Sequence, residues 1–197
     1  SSLIYSCIFN SRTGVNDSNV FSVGEDITKS LDPSKGTIQK LYAEDTNLII
    51  FQENKVNRAL IDKDAIYTAE GGGTAVSQLG LVIGQILPYA GEFGISKDPG
   101  SFAVYGYRKY FTDKTQNVVL RLSQDGITEL SSYGMRDYFR DRFNNMDDAQ
   151  GPGRVIGGWD IHNSQYVVST TTNINSTDNS YETLSFDESV RGWTSFF

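Results

Sequence analysis

Apolar positions along this chain come in short runs that pair across brief polar turns. Residues 48–51 lead through 52–55 into 56–61, and residues 107–111 lead through 112–117 into 118–122. Residues 158–160 lead through 161–164 into 165–170, and residues 184–186 lead through 187–191 into 192–196. Each unit is a β run carrying aromatics, a polar turn and a second β run, which is the pattern of a hairpin. Recurrence at this scale predicts an array of similar blades rather than one irregular sheet. Phe51, Phe111 and Trp159 hold corresponding places in three units, at spacings of 60 and 48 residues. Propeller blades recur about every 40 to 50 residues before insertions.

The segments between these units fill in the pattern. Residues 1–9 read as a strand and 10–19 as a polar loop rich in Asn and Ser, while 20–35 are mixed. Asp32-Pro33-Ser34-Lys35-Gly36 is a turn, because Pro presets φ and Gly tolerates positive φ. Residues 37–42 read as a strand and 65–68 as a further short one. Residues 70–74 are a loop, and 76–87 are apolar without a decisive period. Residues 88–100 carry Pro88, Gly91, Gly94, Pro99 and Gly100 and read as loop. Residues 101–110 read as strand, and 124–126 turn the chain before 127–131.

One stretch has helical periodicity. Met135, Tyr138, Phe139 and Phe143 share one helical face, with Asp137, Arg140, Asp141 and Arg142 opposite. This predicts a short helix near 133–143, ended by Gly151-Pro152-Gly153. Strands at 155–159, 165–171, 181–186 and 192–196 then make one complete four-stranded blade. The expected fold is all-β: antiparallel β-propeller-like blades, about three of them, at 37–68, 101–131 and 155–197, in a single region 1–197. Three blades are fewer than the four that close a propeller. The chain also opens at Ser1 within a β run and stops at Phe197 directly after another. Both features lead to the expectation that it is an internal fragment of a longer polypeptide.

Bulk properties narrow the function. At 197 residues the chain is long enough for one domain with a real core. With 21% charged and 12% aromatic residues it is a folding composition. A net charge of −7 argues against a nucleic-acid-binding surface as the main function. The single cysteine, Cys7, precludes a disulfide within the chain and reads as a buried strand residue. No apolar run approaches the roughly 20 residues of a membrane helix, so no membrane segment is expected.

Candidate chemistry is sparse. Gly71-Gly72-Gly73-Thr74 lacks the Lys of a phosphate loop and reads as a flexible loop. His162, the one histidine, would have to serve any Ser-His-Asp triad, but it sits in a hairpin turn and reads as a surface residue. One His and one Cys exclude the usual zinc sets. Asp147-Asp148 and Thr177-Asp178-Asn179 lack calcium-loop spacing and read as solvated loops. Residues 123–128 approach the Ser-x-Asp-x-Gly-x-Thr box of sialidase-like blades, but Gly126 follows Asp125 directly and the closing Trp is missing. Asp113, Asp125, Asp160 and Asp187 stand at strand ends, where such residues accept from turn N–H groups. Asn16-Asp17-Ser18 and Asn175-Ser176-Thr177 fit a glycosylation sequon, as chance allows in a chain so rich in these residues. Tyr105, Tyr107, Tyr110, Trp159, Tyr166 and Trp193 could form a sugar- or partner-binding rim, but packing between blades is the expected role for most. No catalytic, cofactor-binding or metal-binding residue is assigned.

Five phrases carry a resemblance: 47–56, 89–97, 110–114, 119–126 and 192–196. Together, in this order, they resemble virion structural proteins of tailed DNA bacteriophages, of cyanophage or crAss-like type, across most of residues 12–197. Similar tail nozzle or muzzle proteins use β-propellers as rigid building blocks. The resemblance implies a structural component of a virion, in tail or neck, with no enzymatic activity and no cofactor. It implies other tail or neck proteins, and copies of the chain in a symmetric ring, as partners. An acidic surface suits a channel through which DNA passes without sticking. Two alternatives stay open: a host-receptor or glycan-binding module of a virion, and a glycan-degrading propeller enzyme.

Overall fold

The computed structural model describes residues 1–7, 9–10, 13–21, 23, 27–61, 83–146, 152–175 and 181–196. The fold is all-β with one short helix. An N-terminal ribbon holds β1 (Ser2–Ile4), β2 (Phe9–Asn10), β3 (Val15–Asn16) and β4 (Thr28–Ser30), with β1 paired to β4 and β2 to β3. Three four-stranded antiparallel meanders follow. The first holds β5 (Ile38–Glu44), β6 (Asn47–Gln52), β7 (Val56–Ile61) and β8 (Ile83–Pro88). In the second are β9 (Ala103–Tyr105), β10 (Arg108–Asp113), β11 (Val118–Ser123) and β12 (Gly126–Glu129). The third comprises β13 (Arg154–Asp160), β14 (Gln165–Thr171), β15 (Glu182–Asp187) and β16 (Gly192–Phe196). Helix α1 (Arg136–Asn144) lies in the connection from β12 to β13.

The meanders stack face to face in chain order, as the pleat dictates. Successive residues of a strand point to opposite faces, so a strand covered on both sides must be apolar at consecutive positions. On β10, Tyr110 joins the core shared with the third meander, and Phe111 joins the core shared with the first. On β11, Val119 faces the third meander, while Val118, Leu120 and Leu122 face the first. The first meander is also covered twice: Ile49 and Phe51 of β6 meet the second meander, and Ile50 meets Leu3, Tyr5 and Leu31 of the ribbon. On β14, Tyr166, Val168 and Thr170 are buried in alternation with partly exposed Val167 and Ser169, and Thr171 at the strand end is buried as well.

Helix α1 fills the wedge between the second and third meanders. Phe139 and Phe143 are buried there, with Met135 and Tyr138 packed alongside, as their spacing predicts. Phe139 meets Trp193 at 4.7 Å, and the Trp193 indole N–H donates to the Leu130 carbonyl at 3.1 Å. Arg142 donates to the Thr170 carbonyl at 2.8 Å and so ties the polar face of the helix to β14.

Several expectations change in detail. The segment 101–110 is two strands, reversed at Gly106 and Tyr107, with Tyr105 paired to Arg108. Gly106 has φ +57, which the first central residue of a two-residue hairpin turn of the II′ type requires. The undecided segment 76–87 ends in β8, the fourth strand of the first meander, while the strand expected at 65–68 and the loop at 70–74 lie outside the described residues. Trp159 is on the first strand of its meander, whereas Phe51 and Phe111 are on the second strands of theirs, so the three are not equivalent. Hairpin likeness cannot distinguish the first hairpin of a meander from the next. Cys7 is partly buried between β1 and β2 rather than within a strand. Among the described residues, no helix is long and apolar enough to cross a membrane.

Candidate functional site

The six aromatics singled out above divide sharply. Tyr105 stacks on Trp159 at 4.5 Å, Trp159 on Tyr110 at 5.1 Å, and Tyr110 on Tyr166 at 5.1 Å. This column crosses the junction of the second and third meanders, from exposed Tyr105 to fully buried Tyr166. The Tyr166 hydroxyl donates to the Ser101 carbonyl at 2.7 Å, and burial pushes its pKa up. Trp193 packs on Phe139 and Phe186. Tyr107, also exposed, is in the β9–β10 turn. The column therefore acts chiefly as inter-sheet packing, worth about 0.5–1.5 kcal/mol per ring pair beyond area burial.

Glu188, in the β15–β16 turn, pins the same junction electrostatically. It accepts from the Tyr110 hydroxyl at 2.8 Å and from Arg121 at 2.6 Å, with Arg108 at 3.6 Å. Its side chain is only 14% exposed, so the Arg121 pair is weakly screened by solvent. Burial, then the bond to Glu188, raise the pKa of the Tyr110 hydroxyl. Replacing Glu188 by Gln is expected to cost about 2 kcal/mol, because the enclosed Arg121 loses its counter-charge. Equilibrium urea unfolding checks this, and a cost below about 0.5 kcal/mol would show that the pair contributes nothing.

Asp160 and Asp187 behave as turn acceptors, as expected of strand-end aspartates. Asp160 accepts from the backbone N–H of His162 at 2.9 Å and of Asn163 at 3.3 Å, and His162 is exposed in that turn. Asp187 accepts from Ser189 N–H at 2.7 Å. Hydrogen bonds from Asn163 and from Ser189, respectively, hold these two carboxyls below the ordinary range. Asp113 differs. It is fully buried and accepts from Gly94 N–H at 2.9 Å, Ser96 hydroxyl at 2.8 Å and Gln116 N–H at 3.2 Å. Burial raises its pKa even so. It locks the loop after β8 onto the β10–β11 turn and is placed for architecture. Asp125 is exposed in the β11–β12 turn.

A cavity of about 240 Å³ opens where the first and second meanders meet. The β5–β6 turn lends it Glu44, Asp45 and Asn47, and β7 lends Arg58. Tyr89, Tyr107, Lys109, Ser123 and Gln124 complete the wall. Lys109 is 3% exposed, and its ammonium is bonded to the Glu44 carboxylate and, at 3.2 Å, to the Tyr107 carbonyl. Behind this wall, Asn47 Oδ1 and Ser123 Oγ are buried with no hydrogen-bond partner among the described residues. The sequence marks Tyr107 as a rim aromatic and Ser123 and Gln124 as part of an imperfect sialidase-like box, and gives no sign of the rest of this wall. Glu44 and Lys109 lie 65 positions apart, and a lone charge in a strand gives no sign of a partner in another sheet.

Among the described residues, no three His, Cys, Asp or Glu side chains gather as a metal site would need. Asp147-Asp148, Gly71-Gly72-Gly73-Thr74 and Thr177-Asp178-Asn179 lie outside the described residues. No known protein-family model matches the chain, and no curated protein matches it.

Proposed function

We propose that the chain is a structural component of a bacteriophage virion, a tail or neck protein that acts through subunit assembly around the DNA channel. The observation that supports this reading best is the doubly covered second meander. Two continuous apolar layers on its opposite faces bind three sheets into one block, with Tyr110 and Phe111 as adjacent anchors. A block of this kind suits a particle that must bear load, because relative motion of the sheets would open both cores.

A second feature fits assembly. Ile4, Val15, Val20, Phe21 and Val23 of the N-terminal ribbon are all exposed. Apolar side chains gathered on one surface element mark interaction sites in soluble proteins. The net charge of −7 suits a wall that passes DNA without holding it. The resemblance to nozzle and muzzle proteins names the class of partners: other tail or neck proteins and further copies in a symmetric ring.

Cryo-EM of intact particles, with this chain traced in the density, tests the reading. Density in a symmetric tail or neck ring supports it. Density on a peripheral spike, or its absence from the particle, overturns it.

A further inference from the structure

We propose that the cavity between the first and second meanders is a binding site for a neutral saccharide, holding one sugar residue. The inference rests on the balance of its wall. Lys109 and Arg58 are opposed by Glu44 and Asp45, so the wall offers strong donors and strong acceptors with no net charge. An anion would meet two carboxylates there, and a cation would meet an ammonium and a guanidinium. A hydroxyl donates and accepts at once, so adjacent sugar hydroxyls can bridge a cationic donor and a carboxylate without burying an unpaired charge.

Three further observations fit. Lys109 and Glu44 hold each other, and Lys109 is 3% exposed, so the principal donor and acceptor are set before a ligand arrives. Asn47 and Ser123 add side-chain amide and hydroxyl groups to the same wall. Tyr89 and Tyr107 line the same cavity, which puts two aromatic side chains within reach of the C–H face of a sugar ring. Burial raises the pKa of the Tyr89 phenol, so it remains a neutral donor. At about 240 Å³ the space lies below the roughly 300–1,000 Å³ of sites for drug-sized ligands, which matches a single ring.

The proposal goes beyond the virion reading and does not depend on it, since the particle image and sugar binding can fail separately. The test is a backbone-amide NMR titration of the full chain. The probes are the methyl glycosides of glucose, galactose and mannose, with glucuronate and glycine as anionic and zwitterionic comparisons. Saturable shifts at 44–47, 107–109 and 123–124 with a neutral glycoside are expected. Tyr107→Ala and Asp45→Asn both alter exposed turn positions, and each should weaken binding about tenfold or more. The proposal is overturned if no neutral glycoside shifts these amides, if only glucuronate or glycine does, or if both variants bind as tightly as the parent chain.

Discussion

Replacing Gly157 by Ala is expected to lower stability by about 3 kcal/mol, whereas the same change at Gly158 should be neutral or stabilise by up to about 0.5 kcal/mol. These neighbours on β13 point to opposite faces. A Cβ at Gly157 would stand 2.0 Å from the Ser101 carbonyl oxygen and 2.6 Å from the Tyr166 hydroxyl. Neither obstacle yields cheaply. Ser101 is fully buried, its hydroxyl donates to the Asp98 carbonyl at 2.8 Å, and it accepts from Thr112 N–H at 3.1 Å. The added methyl would also displace the 2.7 Å bond from the Tyr166 hydroxyl to the Ser101 carbonyl, leaving a buried donor unpaired. At Gly158 a Cβ meets nothing within 4 Å. Urea unfolding of both variants decides the matter, and equal midpoints would show that β13 does not seat against Ser101 this closely.

This contrast also shows what the sequence could and could not reveal. The hairpins, the helix and the final four strands are local: each is written in period-two or helical spacing and closed by its own turn residues. The stacking order is partly local as well. Consecutive apolar residues such as Ile49-Ile50-Phe51 mark a strand covered on both faces, but Tyr166-Val167-Val168 of β14 form a like run in which Val167 stays partly exposed, so the run alone does not settle the stacking. What stays hidden is contact between layers. Gly157 reads as an ordinary strand glycine until Ser101 is placed against it. Glu188 reads as a turn acid until Arg121, 67 positions away, reaches it. The candidate saccharide site is less legible still, because its wall is drawn from the first two meanders and each contributor has a bland local explanation. Of its residues, Tyr107 carried a signal as an aromatic in a predicted rim, and Ser123 and Gln124 only as part of an imperfect sialidase-like box.

The largest single loss is expected at the centre of the stack, where Phe111→Ala should cost about 4 kcal/mol, within the range for a buried Phe. Phe111 is fully buried and meets Phe51 edge-on at 5.1 Å across the boundary of the first two meanders. Val118, Leu120 and Leu122 belong to the same core and are strand-bound, so the space left by the ring cannot close by local collapse. Val190→Ala, at an exposed hairpin tip, should change stability by less than about 0.5 kcal/mol. Denaturant unfolding should show the Phe111 loss as a shifted midpoint with an unchanged slope, because both apolar layers meet on β10 and β11 and melt together. A biphasic transition would instead mean that the first meander unfolds apart from the other two. The block would then not be the single rigid unit that the proposed load-bearing role requires.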